Sequence, residues 1–300
     1  MKADHIDEKI IALDIGGTYI KYGVVNFDLI ELSRGIQETE KEPKDFLKQL
    51  YDITDNAKAA HDSIIGIAIS IAGFLNPETG ENSDFTVEAS FTAYNLKEKL
   101  EGYSGYKVVI ENDSNCAAIA EAELGTGKDC NSFVMITVGT GIGGAIILNR
   151  ELVRGTNYKA GEVGFTMIGK NKHAGATSIL VKRVRRIVKS RGMDPKSVNG
   201  EYVFSHLADP KIKATYDRWI EELAMTIGNI AAILDPQKLL IGGGISMEPI
   251  FIKDLSNKIY ELFPFKEYTE IVPCMLGNHA GKIGAAILFL QKYQKEAEVK

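Results

Sequence analysis

Two apolar strands separated by glycines recur about half a chain apart, and this recurrence constrains the fold more than any other feature. From Lys9 to Asn26 the chain reads strand, Asp14-Ile15-Gly16-Gly17-Thr18, strand, with β-branched and aromatic residues on both sides of the glycine pair. From Phe133 to Leu148 the run FVMITV leads into Gly139-Thr140-Gly141-Ile142-Gly143-Gly144 and then AIIL. Each reads as a glycine-turned hairpin, so two similar halves are expected. Between and after them, helical and extended patterns alternate. Helices are expected over 44–61, 114–124, 178–190 and about 248–262, with strands over 64–69, 107–110 and 238–241. A long helix carries Trp219, Leu223, Ile227, Ile230 and Leu234 at helical spacing and stops at Asp235-Pro236. That alternation is α/β. A chain of 300 residues exceeds what one core serves efficiently, so two α/β domains are expected, 1–125 and 126–300. The last helix, from about Gly281, is able to cross back to the first.

Composition narrows the function by exclusion. Apolar residues make up 45% and charged residues 25%, which leaves no room for a disordered or fibrous chain. Lys and Arg number 35 against 40 Asp and Glu, so nucleic-acid coating is not expected. The six cations between Lys182 and Arg191 share a helix with Ile179, Leu180, Val184, Ile187 and Val188, and they read as its solvated face. No apolar run is long enough to span a membrane and the N-terminus lacks a signal-type apolar core, so a cytoplasmic protein is expected. Cys116, Cys130 and Cys274 lie 14 and 144 positions apart, neither a disulfide framework nor a zinc spacing. The five histidines are equally scattered.

Several segments carry candidate chemistry, each with a plain alternative. Asp14 ends a strand immediately before Gly16, Gly17 and Thr18, a pattern that brings backbone N–H groups against a phosphate; the alternative is a hairpin turn with glycine at positive φ. Gly139 to Gly144 matches G-x-G-x-x-G in form, but the apolar run after Gly144 reads as a return strand rather than a helix, so a dinucleotide site is not expected. Thr140 and Gly141 become a second phosphate clamp. Gly242-Gly243-Gly244 follows a strand and precedes a helix, where backbone approaches a flat ligand closely. Glu111-Asn112-Asp113-Ser114-Asn115 sits at a strand's C-terminal end, where open α/β sheets bind ligands; the alternative is that Asp113 or Ser114 caps the next helix. Glu162, between Gly161 and Gly164, reads equally as a loop surface residue or a hydroxyl acceptor.

Together, IALDIGGTYIKYGVV, ENDSNCAAIAEAELG, ITVGTGIGGAIILNRELVRG, AGEVG and LLIGGGIS stand in an order that resembles the ROK (repressor, open reading frame, kinase) family of sugar kinases. The resemblance spans nearly the whole chain. It implies an actin-like ATPase fold, two ribonuclease-H-like domains around a nucleotide and sugar cleft, and ATP-dependent phosphorylation of a hexose or hexoside hydroxyl, the 6-OH. By that resemblance Asp14 organises Mg2+ through water, and Gly16, Gly17, Thr18, Thr140 and Gly141 hold the ATP phosphates. Gly242, Gly243 and Gly244 lie near the adenosine. Asn112, Glu162, Asn95 and Gly73 hold the sugar, with Asp113 as catalytic base and a homodimer as the assembly. At a helix N-terminus Asp113 is expected to favour its carboxylate form.

The departures matter as much. Family glucokinases carry Gly-His after their G-E-I segment and then a cysteine-rich zinc loop; here Gly164-Phe165 is followed by KNKHAGATSILVKR without a cysteine. No structural zinc is therefore expected. The pattern is similar to the zinc-less branch that includes bacterial β-glucoside kinases, with a β-glucoside as the implied acceptor. The alternatives are another ROK hexose kinase, acting on glucose, fructose or N-acetylmannosamine, and an inactive sugar sensor. Eight residues precede Lys9, so the DNA-binding module of the family's repressors is not expected.

Overall fold

In the computed structural model, residues 7–84, 86–139, 141–168, 172–175 and 180–299 are described, and the chain divides into two compact units. One unit comprises the chain up to Leu124, Arg154–Ala160 and the chain from Asn278; the other comprises Gly125–Val153 and Gly161–Gly277. The boundary expected from sequence puts everything after 125 in the second half, apart from the last helix. The short excursion Arg154–Ala160 departs from it for an electrostatic reason: Arg154 Nε donates to Glu111 Oε2 at 2.7 Å, and Glu111 is 1% exposed. A buried carboxylate without that partner would carry a large desolvation penalty.

The first unit is built on β1 (Lys9–Ile15), β2 (Tyr19–Asn26), β3 (Glu31–Glu38), β4 (Ile64–Ile71) and β5 (Lys107–Asn112), in the spatial order β3-β2-β1-β4-β5. The hairpin of β1 and β2 closes with Ile15 opposite Ile20, and β4 and β5 join parallel. Parallel neighbours need crossovers. The first is α1 (Pro43–Ala60), opened by a proline in its first turn, with Phe46, Leu50 and Ile53 buried on one face at helical spacing. The second runs through α2 (Ala89–Thr92) and α3 (Leu96–Ser104). The buried Ile11, Leu13, Ile20, Ile67, Ile69 and Ile110 complete that core. In the same unit, α4 (Asp113–Leu124) packs against the last helix, α9 (Ala280–Val299). At their crossing a methyl on Gly284 would stand 1.7 Å from the Cys116 carbonyl oxygen, so only glycine fits.

The second unit repeats the plan. Strands β6 (Phe133–Val138), β7 (Ile142–Leu148), β8 (Glu151–Leu152), β9 (Lys238–Gly242) and β10 (Glu270–Pro273) lie in the order β10-β9-β6-β7-β8. As in the first sheet, the leading strand pairs antiparallel with its hairpin partner and parallel with the strand after the long crossover. That crossover holds α5 (Leu180–Ser190), α6 (Gly200–Ser205) and α7 (Pro210–Leu234), and α8 (Pro249–Leu262) follows β9. Trp219, Leu223, Ile227, Phe251, Leu255, Val184 and Val188 are buried in one core. Cations of α5 and its C-terminal turn find partners within the unit: Arg183 with Glu222, Arg191 with Asp209, and Arg185 with the Val198 carbonyl. Among the described residues no helix is long and apolar enough to cross a membrane.

Candidate active site

In the first unit the C-terminal ends of β1, β4 and β5 bring the acidic groups together. Asp14 stands on β1 with Ser70 beside it on β4 and Lys21 opposite on β2. Ser70 Oγ donates to Asp14 Oδ1 at 2.9 Å, and Lys21 Nζ lies 3.6 Å from Oδ2. A methyl on Gly281 would lie 2.5 Å from Asp14 Oδ1, so the start of α9 closes down on this carboxylate. Gly16 and Gly17 close the β1–β2 hairpin without positive φ, so backbone handedness does not demand glycine there. Their backbone is held otherwise: Gly16 N–H donates to the Tyr19 carbonyl at 3.0 Å, Thr39 Oγ1 to the Gly16 carbonyl at 2.7 Å, and Lys41 to the Gly17 carbonyl. The Thr18 carbonyl accepts from Thr39 N–H at 2.9 Å. Gly17 and Thr18 remain exposed.

Asp113 is the first residue of α4, and the helix-cap explanation for it fails. Asn112 is the cap: its Oδ1 accepts from the N–H groups of Ser114 and Asn115 at 2.9 and 3.2 Å, while its Nδ2 donates to the Gly73 carbonyl at 3.1 Å. Asn112 therefore positions Gly73 and the first turn of α4 against each other. Asp113 Oδ1 accepts from Ser114 N–H at 2.7 Å. Even so, burial, opposed by that hydrogen bond and reinforced by the charge of Asp14, pushes the Asp113 carboxyl above its ordinary value. A carboxyl shifted in that direction is the better proton acceptor once deprotonated. Gly73 has φ +128°, and a methyl there would meet the Asn82 side chain at 2.3 Å. Asn95 also has a structural part. Its Oδ1 caps α3 through Glu98 N–H at 3.1 Å and its Nδ2 donates to the Thr79 carbonyl at 2.8 Å, so both ends of the amide are engaged in holding the chain.

In the second unit, β7 begins at Ile142, inside the glycine run, so the run opens a strand and not a dinucleotide-binding helix. Thr140 lies outside the described residues. Added methyls on Gly139 and Gly141 would meet nothing within 4 Å, which leaves this turn open to a ligand. Gly144 serves packing: its methyl would meet the Gly161 carbonyl oxygen at 2.9 Å, and Gly161 itself has φ +88°. The loop around Glu162 therefore lies flat on β7, with Glu162 half-buried at its crest. Gly243, at φ +91°, could not carry a methyl, which would stand 2.2 Å from the Val138 carbonyl oxygen. Gly242 closes β9 and Gly244 is open. Beside these glycines is a pocket of about 310 Å³ lined by Gly139, Gly244, Ile245, Val203, Phe204 and Trp219, among others.

The ROK family model matches residues 10–292. This chain belongs to the ROK family. A β-glucoside kinase of Listeria monocytogenes is 35% identical to it over 297 residues, spanning 95% of this chain and 98% of that one. Among solved structures, a Listeria monocytogenes protein proposed to be an N-acetylmannosamine kinase has a TM-score of 0.84 at 32% identity, covering 95% of this chain and 99% of that one. A ROK glucokinase from Streptomyces griseus, solved with glucose and AMPPNP, has a TM-score of 0.76 at 25% identity, covering 93% and 98%. The two like sheets are thus the ribonuclease-H-like halves of the actin-like ATPase fold.

Within this ROK chain, Phe165, which follows Gly164 where the resemblance leads one to expect histidine, is 46% exposed. Its carbonyl oxygen lies 3.0 Å from His173 Nδ1, and the two rings meet edge to face at 6.1 Å. A neutral aromatic and a lone imidazole are a poor donor set for tetrahedral zinc. Elemental analysis of chelator-washed protein is expected to find no stoichiometric zinc; about one zinc per chain whose removal abolishes activity would overturn this. Sequence reasoning missed Ser70, Lys21 and Gly281. Ser70 had a readable signal, since it is the one hydroxyl in the apolar run IIGIAISI and is fully buried. Gly281 had none, because its neighbour Asp14 lies far away in sequence.

Proposed function

We propose that this ROK-family chain is an ATP-dependent sugar kinase whose acceptor is the 6-hydroxyl of a β-glucoside in preference to free glucose. The end-to-end likeness to a β-glucoside kinase, at 35% identity, carries the reading. Asp113, half-buried and with its carboxyl raised above the ordinary value, takes the proton of the attacking hydroxyl, and Asn112 and Gly73 fix its surroundings. Glu162 accepts from a sugar hydroxyl. In the second unit the adenine enters the apolar pocket beside Gly139 and Gly244, and the open backbone at Gly141 takes phosphate; in the first unit the exposed turn at Gly17 and Thr18 is the phosphate-binding backbone.

Asp14 fits Mg2+: it is a carboxylate oriented by Ser70 and half-screened by Lys21, an oxygen ligand of the kind magnesium takes through its own waters. When bound, the ion supplies neutralising charge to the phosphates. The rest is positioning by this chain's own groups, which is most of what phosphoryl transfer asks of a protein.

ADP release measured across glucose, cellobiose, gentiobiose and an aryl β-glucoside tests the acceptor. The expected result is a higher kcat/KM for at least one β-glucoside than for glucose. A higher value for glucose than for all three sinks the preference while leaving kinase activity in place.

A further inference from the structure

The first unit holds a second concavity, of about 420 Å³, that the catalytic reading does not use. One wall is Phe74, with Glu81 and Ser83; the other is the excursion Thr156-Asn157-Tyr158-Lys159. Both walls are tied to the proposed sugar-binding residues. Phe74 directly follows Gly73, whose carbonyl accepts from Asn112. The excursion is anchored by Arg154 on Glu111, two residues before Asp113, and closed on itself by Ala160 N–H to the Arg154 carbonyl at 3.1 Å. Lys159 Nζ lies 4.8 Å from the centre of the Phe74 ring, joining one wall to the other.

The lining has the mixed character that a pyranose presents in complement. A half-buried aromatic ring offers an apolar face to ring C–H groups, while exposed Ser83, Thr156, Asn157 and Glu81 offer donors and acceptors to hydroxyls. Glu81 and Lys159 set one anion against one cation, so the lining does not select a charged ligand of either sign, and an apolar chain would strip these polar groups of water for nothing. We infer that this concavity is the subsite for the second pyranose ring of a β-linked disaccharide, with Phe74 and the Thr156–Lys159 excursion as its two walls. The inference rests on the sugar-kinase reading and assigns the part of the acceptor that free glucose lacks. It also accounts for the excursion, since a segment that left its own sheet to stand beside β5 forms a wall that glucose alone would not need.

The test is kinetic and calorimetric, on the full chain. Phe74→Ala and the loop variant Asn157→Ala with Lys159→Ala are compared with wild type for glucose and cellobiose. KM for cellobiose is expected to rise about tenfold in each, with kcat and the glucose parameters within about twofold. The loop variant changes exposed side chains only, so it guards against a folding defect in Phe74→Ala. Equal losses on glucose and cellobiose, or an unchanged cellobiose KM, overturn the subsite. Titration calorimetry separates the two readings. Cellobiose binding that both variants weaken, without any phosphorylation, upholds the subsite and removes the kinase reading. Phosphorylation of glucose with no binding of cellobiose does the reverse.

Discussion

Asp113→Asn is expected to lower kcat for sugar-dependent ADP release by about 10²–10⁴-fold while the melting temperature and ATP binding stay close to wild type. The amide keeps the shape and one acceptor oxygen for Ser114 N–H, but cannot take the sugar's proton. Stability is spared because the first turn of α4 is capped by Asn112 and not by Asp113. A pH profile adds a second readout. Burial first, and the charge of Asp14 after it, raise the Asp113 carboxyl above its ordinary value, and the active form is the deprotonated one. Wild-type kcat should therefore climb as pH rises through a value above that of an ordinary aspartate, and Asp113→Asn should lose that limb. Near-wild-type kcat in a folded Asp113→Asn protein would remove Asp113 from the mechanism.

The architecture was legible because its signal is local and repeated. The two glycine hairpins and the stop at Asp235, which takes φ +45°, show in contiguous stretches, and the alternation of helix and strand repeats along the chain. What escaped was the edge of each sheet. The sequence ELSRGIQE of β3 exposes Leu32 and Ile36, so no buried face marks it as a strand, and β10 is four residues long. An edge strand reads weakly when its outward face meets solvent. The α5 stripe, by contrast, was plain, with Leu180, Val184 and Val188 buried at helical spacing.

The candidate site divides along a similar line. Residues set in motifs, such as Asp14, Asp113 and the glycine runs, stand out because their neighbours in sequence are also their neighbours in space. Their functions within the fold were less legible. Asn112 and Asn95 both act as helix caps, which a polar residue before a helix already hints at. Gly144 and Gly243 are packing glycines, each required by a carbonyl oxygen contributed from a distant stretch. Ser70 on Asp14 and Arg154 on Glu111 are tertiary pairs across 56 and 43 positions, so no short pattern encodes them.

Gly284→Ala carries the largest structural expectation, and it acts at the junction that returns the end of the chain to the first unit. A methyl there would stand 1.7 Å from the Cys116 oxygen and 2.4 Å from its carbonyl carbon, both backbone atoms of α4 that no rotamer change can move. Either helix must shift. Forced overpacking costs about 1–3 kcal/mol or more, while alanine's better helix propensity returns at most about 1 kcal/mol, so the fold should lose about 2 kcal/mol and the melt about 4–8 °C. The same change at Gly102, an exposed position of α3 with nothing within 4 Å of the added methyl, has only the propensity gain and should raise the melt instead. Displacing α9 also disturbs chemistry, because Gly281 at its start lies against Asp14 and Ser70. Sugar-dependent ADP release should therefore fall together with stability in Gly284→Ala, and neither should fall in Gly102→Ala. A Gly284→Ala melt within about a degree of wild type would mean that α9 does not lock onto α4 as closely as the contact at Cys116 requires.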